Sequence, residues 1–259
     1  MSVEELHYEQ SGPLDAPALL LGASLGTTLE MWAPALPALA RRRRVVRFDH
    51  RGHGRSRVPE GPYEIADLGR DVLGLLDRLG LERVSYAGVS LGGMVGLWLA
   101  AHAPERIERL VCICSSAHLP PPQAWADRAD AVRAAGSVAV IADGVLERWF
   151  TPAYAQSHPD AIAWVGAMLR SSSPRGYAAC CGTIERLDLR CDLESITAPT
   201  LAVGAVGDLA IPPAHSEAIA AGVPGARLEM LAHGAHLAAV ECAGEVAELI
   251  ERHLEEMPV

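Results

Sequence analysis

The sequence predicts an α/β fold: a mostly parallel central sheet flanked by helices, with a helical lid inserted late in the chain. Three observations carry the prediction. Short β-rich runs alternate with longer amphipathic stretches. Several runs are apolar throughout, as expected for strands covered on both faces. The alternation breaks once, between His118 and Leu189, in a stretch that opens with Pro120-Pro121-Pro122 and carries helical patterns without a clear strand.

Taken in order, predicted strands fall at Glu5–Gln10, Ala18–Leu21, Val45–Phe48, Arg83–Ala87 and Leu110–Cys114, then at Thr200–Val203 and Arg227–Leu231. A helix is expected over Ile65–Leu79, where apolar residues recur every three or four positions and Gly80 supplies a stop. Leu91–His102 follows a strand directly and ends just before Pro104. Ala214–Ala221 and Glu245–Leu254 fill the later crossovers. Residues 1–117 and 190–259 are therefore expected to form the core, and 118–189 the lid.

The chain has 259 residues, enough for one domain, or one core with a modest insertion. Half of it is hydrophobic and 21% charged, which supports a buried core and argues against disorder. Aromatic residues make up only 5%, so aliphatic side chains and alanine must fill most of the interior. The net charge of −10 repels phosphate backbones and anionic lipid, so neither a nucleic-acid partner nor a membrane is expected. The basic run Arg41-Arg42-Arg43-Arg44 is read as a solvated helix end, where cations are favourable. Six scattered cysteines show neither a disulfide framework nor zinc spacing. No charged-then-apolar leader and no apolar stretch of about 18 residues is found, so a reduced, cytoplasmic protein is expected.

Chemistry first emerges at Gly88-Val89-Ser90-Leu91-Gly92-Gly93, between a predicted strand and a predicted helix. This is G-x-S-x-G in its strand–turn–helix setting, which presents a serine nucleophile on a sharp turn. Glycines two positions either side relieve the clash that side chains would create there. The helix N-terminus turns backbone N–H groups toward developing negative charge. No Lys-Ser or Lys-Thr follows the glycines, which excludes a phosphate-binding loop.

On this kind of scaffold the acid and then the histidine follow the serine along the chain. Asp208 is the first acidic residue beyond the strand Thr200–Val203, whereas Asp188 and Asp192 precede it. The strand Arg227–Leu231 runs into Ala232-His233-Gly234-Ala235-His236. His236 is the preferred base, with His233 as the alternative. A His233/His236 metal site lacks a third ligand, and no metal or cofactor is expected. Two backbone donors must stabilise an oxyanion. The N–H of Leu91, just after the nucleophile, is one; the N–H of Leu25, in Gly22-Ala23-Ser24-Leu25-Gly26, is the other.

With these residues in place, the whole chain resembles the 3-oxoadipate enol-lactonases, a family with the α/β-hydrolase fold. Phe48-Asp49-His50-Arg51-Gly52-His53-Gly54-Arg55-Ser56, the elbow around Ser90, and Glu241 after His236 are marks of the wider superfamily. The likeness to the lactonases is carried by Ser24-Leu25-Gly26-Thr27 with Met31-Trp32, by Ile65–Asp71 and Leu99–Arg106, and by Glu147–Pro152 and Gly176–Cys181 in the lid. The chain departs from the pattern in two places: the acid loop keeps a single acid, Asp208, and Cys242 stands where proline is frequent.

The resemblance implies a carboxylic ester hydrolase that opens 3-oxoadipate enol-lactone through a Ser90–His236–Asp208 acyl-enzyme mechanism. Its substrate would be a small anionic lactone, an intermediate of aromatic-compound breakdown, so a local cation is required. Arg133 and Arg148 in the lid are the candidates, because arginine suits a planar anion. Trp125, Trp149 and Trp164 are expected to line or support the pocket. A carboxylesterase or cofactor-free perhydrolase would share the triad, and a small-molecule receptor could also retain it. A dehalogenase needs a carboxylate where Ser90 stands.

Overall fold

The computed structural model describes residues 3–256. In chain order the elements are β1 (Tyr8–Ser11), β2 (Ala18–Gly22), α1 (Leu36–Leu39), β3 (Arg44–Phe48), α2 (Ile65–Leu79), β4 (Val84–Val89), α3 (Leu91–His102) and β5 (Ile107–Ile113). Five helices follow without an intervening strand: α4 (Pro122–Ala135), α5 (Ala139–Trp149), α6 (Pro152–Ser157), α7 (Pro159–Ser171) and α8 (Pro174–Glu185). The chain then completes β6 (Thr200–Ala205), α9 (Ala214–Gly222), β7 (Arg227–Leu231), α10 (Ala238–Glu241) and α11 (Ala243–Glu255).

The seven strands form one sheet in the order β1-β3-β2-β4-β5-β6-β7. Only β1 runs antiparallel to its neighbour. Every residue of β4 and β6 is buried, the physical reason their sequences are apolar or small throughout. Helix α2 carries its apolar stripe inward, opens with a reciprocal capping box between Glu64 and Asp67, and stops at Gly80 in the left-handed region (φ 65°). Helix α3 is apolar on all sides because it is sunk against the sheet, with ten consecutive residues from Leu91 to Ala100 buried.

Several boundaries differ from the sequence expectation for identifiable reasons. β1 begins at Tyr8 rather than Glu5, because ladder pairing starts at Tyr8↔Phe48. Before it, the Glu4 N–H bonds the Asp71 carboxylate (2.7 Å) and the His7 N–H bonds the Ser56 hydroxyl (2.8 Å), so side chains hold that segment. β5 starts three residues earlier than expected, paired from Ile107 with β4, and ends before Cys114, whose φ of 46° leaves the strand region. In the arginine run Arg41 and Arg42 are exposed as expected, but Arg43 is largely covered, and Arg42 and Arg43 pair with Glu255 (2.7 Å) and Glu251 (3.2 Å) of α11. No helix among the described residues is long and apolar enough to cross a membrane.

Candidate active site

Ser90 lies between β4 and α3 with φ 55° and ψ −117°, a conformation that L-residues rarely adopt. The surrounding structure over-determines it. Its N–H donates to the Ile113 carbonyl (2.9 Å), and its own carbonyl accepts from the Ser115 hydroxyl (2.8 Å) and the Met94 N–H (3.0 Å). A Cβ on Gly88 would overlap the backbone of Gly92, and one on Gly92 would overlap the carbonyl of Gly22. Both glycines of the motif are therefore sterically required, which is how strain of this kind persists.

Asp208 follows β6 and is buried, at 2% exposure. Its Oδ1 accepts the N–H groups of Ala210 and Ile211, both at 2.8 Å, and its Oδ2 faces Nδ1 of His236 at 2.9 Å. A carboxylate oxygen only accepts, so Nδ1 carries the proton and leaves Nε2 as the basic nitrogen. The loops after β6 and β7 are joined directly by the Gly207 N–H to the Gly234 carbonyl (2.9 Å). The Trp149 ring lies over the His236 imidazole, centroids 6.2 Å apart. His233, the alternative base, is exposed and does not line the cleft beside Ser90 and His236.

In the loop after β2 the backbone donors on either side of Leu25 are already paired. The Ser24 N–H points at Met31 Sδ (3.2 Å), the Gly26 N–H donates to His53 Nε2 (2.9 Å), and the Thr27 N–H returns to the Ser24 carbonyl (3.1 Å). The Leu25 N–H has no acceptor among the described residues. The Ser24 carbonyl is also gripped by the Thr27 hydroxyl (2.8 Å), which fixes the plane of the Ser24–Leu25 peptide. His50 Nε2 donates to the Ala23 carbonyl (3.1 Å); burial, then the neighbouring His53, pull its pKa down to about 3. Leu91 occupies the first helical position of α3, where an N–H has no partner within the helix. The Ser24 hydroxyl is buried without a partner among the described residues.

Ser90 and His236 open onto a narrow cleft of about 50 Å³ that is partly open to solvent. Its floor includes Ser24, Leu25, Ala210 and Ile211, and its roof Trp125, Arg128, Val145, Arg148, Trp149 and Tyr177 from α4, α5 and α8. Of the residues singled out in the sequence, Ser90, His236, Leu25, Arg148, Trp149 and Trp125 line this cleft, and Asp208 sits behind His236. Arg133 does not: it is exposed and paired with Asp130 at 2.9 Å. Trp164, half-buried on α7, is also absent from the lining.

Sequence reasoning missed Arg128, which stands one turn after Trp125 on α4 with its guanidinium 4.5 Å from the indole centroid. Five residues separate it from Arg133, about 140° around a helix, so the two cannot share a face. The available signal was the Trp125–Arg128 spacing of three, which puts both on one face. Neither Arg128 nor Arg148 is in an ion pair among the described residues, whereas Arg133, Arg170 and Arg186 of the same segment all are. Burial, then the neighbouring Arg128, pull the Arg148 guanidinium below its usual range, and it remains charged at neutral pH. Among the described residues no group of three or more His, Cys, Asp or Glu side chains is placed to hold a metal ion.

Comparison with known proteins places this geometry in context. The alpha/beta hydrolase fold family matches residues 17–139. The chain is 36% identical to the 3-oxoadipate enol-lactonase 2 of Acinetobacter baylyi, over 91% of this chain and 88% of that protein. It is also 32% identical to a Variovorax paradoxus protein bearing the name carbamate hydrolase RutD, over 89% of each. The crystal structure of the enol-lactonase from Burkholderia xenovorans LB400 superposes with a TM-score of 0.95 at 38% identity, covering 98% of this chain and 97% of that one. The chain belongs to the alpha/beta hydrolase family and is a hydrolase of that class.

Proposed function

We infer that the protein opens a small anionic enol-lactone, 3-oxoadipate enol-lactone, by acyl transfer to Ser90. Ser90 Oγ attacks the lactone carbonyl while His236 Nε2 takes its proton. Asp208 holds the imidazole tautomer and stabilises the imidazolium. The N–H groups of Leu25 and Leu91 receive the carbonyl oxygen as it becomes an oxyanion, each worth roughly two to three powers of ten in rate. The C–O bond of the ring breaks, and the leaving oxygen is an enol, far less basic than an alkoxide. It takes the proton from His236 and tautomerises to the ketone. Water, deprotonated by His236, then hydrolyses the acyl-enzyme and frees 3-oxoadipate. Residues 118–189 act as the lid over this chemistry.

The observation that carries the reading is the Arg128–Arg148 pair: two cationic side chains without carboxylate partners among the described residues, lining the same cleft as the nucleophile and the base. Like charges held together in a half-buried site favour an anion between them. A neutral ester gives them nothing to bind, and that separates the lactonase from a general carboxylesterase. The likeness to enol-lactonases of known name points the same way.

Arg128→Ala and Arg148→Ala should each raise KM for the enol-lactone about 10-fold or more, the loss expected of a charge-assisted hydrogen bond. KM for p-nitrophenyl acetate should stay unchanged. Spectrophotometric assay of both substrates measures the two effects side by side. Equal changes for lactone and ester would reject the anion site, and a wild-type preference for the neutral ester would reject the lactonase reading.

A further inference from the structure

We propose that His53 is a positioning residue for this reaction: a neutral imidazole protonated on Nδ1, it holds the Gly26 N–H and so fixes the direction of the Leu25 N–H one residue before. The proposal rests on the reading of the Ser90 cleft as an acyl-transfer site.

The argument starts from Gly26. Its φ of +79° turns it out of any strand ladder, and a Cβ there would press on Leu169 and Tyr177 at 2.6 and 2.9 Å. Both sides of the residue are held. Its N–H donates to His53 Nε2 at 2.9 Å from the core side, and its carbonyl accepts the Ser172 hydroxyl at 3.2 Å from the end of α7. An N–H can only donate, so Nε2 must offer its lone pair. Nδ1, 3.2 Å from the Arg51 carbonyl, must then carry the proton. The alternative tautomer would set an N–H against an N–H and a lone pair against a carbonyl. A doubly protonated ring would lose the Gly26 bond in the same way.

The surroundings keep the ring neutral. His53 is 2% exposed, and burial pushes its pKa down, against the opposing pull of the Arg51 carbonyl and Asp49. The facing charges are already committed. The Asp49 carboxylate accepts the N–H groups of Leu29 (2.7 Å) and Arg55 (2.9 Å), and the Arg51 guanidinium is turned to Asp71 (2.5 Å). His50 stands edge-on at 6.5 Å, itself donating to the Ala23 carbonyl. Above, Gly52 approaches Gly176 of α8 so closely that a Cβ would lie 2.8 Å from its Cα. The histidine turn and the loop after β2 are thus clamped together, and the peptide carrying the Leu25 N–H is set between Thr27 on one side and His53 on the other.

The test has a spectroscopic and a kinetic arm. Long-range ¹H–¹⁵N correlation of the wild-type protein should show His53 protonated on Nδ1 and bare on Nε2. His53→Leu should lower kcat for the lactone about 10- to 100-fold with KM within about 3-fold, the mark of a misplaced donor. Affinity for a boronic acid that mimics the tetrahedral anion should fall in parallel, while affinity for the product carboxylate holds. His53→Gln, whose amide oxygen can accept from Gly26, should restore most of kcat. A wild-type Nε2–H tautomer, or a His53→Leu enzyme with unchanged kcat, overturns the proposal. Should His53→Leu fail to fold, the tautomer and the Gln variant decide. A Ser90→Ala variant run alongside separates the two ideas: Ser90-dependent turnover that ignores His53 removes only this proposal, whereas turnover indifferent to Ser90 removes the functional reading itself.

Discussion

Asp208 shows how much a single side chain is asked to do. One oxygen caps the turn through Ala210 and Ile211, and the other is reserved for His236. In Asp208→Asn the amide oxygen can keep the turn, while the amide nitrogen would donate to Nδ1 and force the proton onto Nε2. The expected outcome is a melting temperature close to wild type with kcat lowered about 10⁴-fold. A variant that kept kcat would show that the acid does not set the tautomer. The place of this residue beside His236 was legible in the sequence because Asp208 is the first acidic residue after the strand, in an otherwise uncharged loop. Arg128 was not, because a helix from Pro122 to Ala135 with two arginines on different faces does not reveal which face meets the cleft until its packing partner is known.

The elements that matter most are those joining the helical segment to the sheet. The Leu237 N–H donates to the Trp149 carbonyl at 3.1 Å, so the loop bearing His236 is bonded to the end of α5. Glu241, noted in the sequence only as a superfamily mark, accepts both the N–H (3.2 Å) and the hydroxyl of Thr151. The two are 90 positions apart, and no local pattern could pair them. Together these bonds strap residues 149–151 to the histidine loop. Glu241→Ala should lower stability by about 1–3 kcal/mol, the loss of hydrogen bonds from half-buried donors to a charged group. Hydrogen exchange should then quicken at amides 149–154, and exchange unaltered there would show that the strap bears no load. Element existence was well read from the sequence: α2 and α3 run as expected, since an amphipathic stripe and an all-apolar run after a strand each have one plausible packing. Strand ends were less legible, because pairing partners, as at Tyr8 and Ile107, decide where a ladder starts.

Across the whole molecule, one sheet edge gathers what the sequence scatters. The loops after β2, β4, β6 and β7 all leave the parallel sheet at its C-terminal side, as parallel strands require, and all four supply residues to one site. The same burial that builds the site makes the fold sensitive to acid. His50 titrates near 6.5 when unfolded and near about 3 when folded, and His53 is displaced in the same direction. The unfolded chain therefore binds more protons across that window, and the stability that neutral His50 contributes above pH 6.5 is lost as pH falls toward 3, at up to about 1.4 kcal/mol per pH unit, with His53 acting in the same direction. Urea unfolding between pH 7 and about 4 should show this fall, and His50→Gln should flatten it. A midpoint independent of pH would mean that the buried rings do not enter the balance.

The most direct test is turnover of the enol-lactone by the wild-type protein and by Ser90→Ala at matched concentration. Wild-type kcat/KM should fall within about 10⁴–10⁸ M⁻¹s⁻¹, and the alanine variant should lose at least about 10⁴-fold while retaining the wild-type melting temperature. Equal rates from the two proteins would contradict a mechanism in which the hydroxyl at the strained turn attacks the carbonyl.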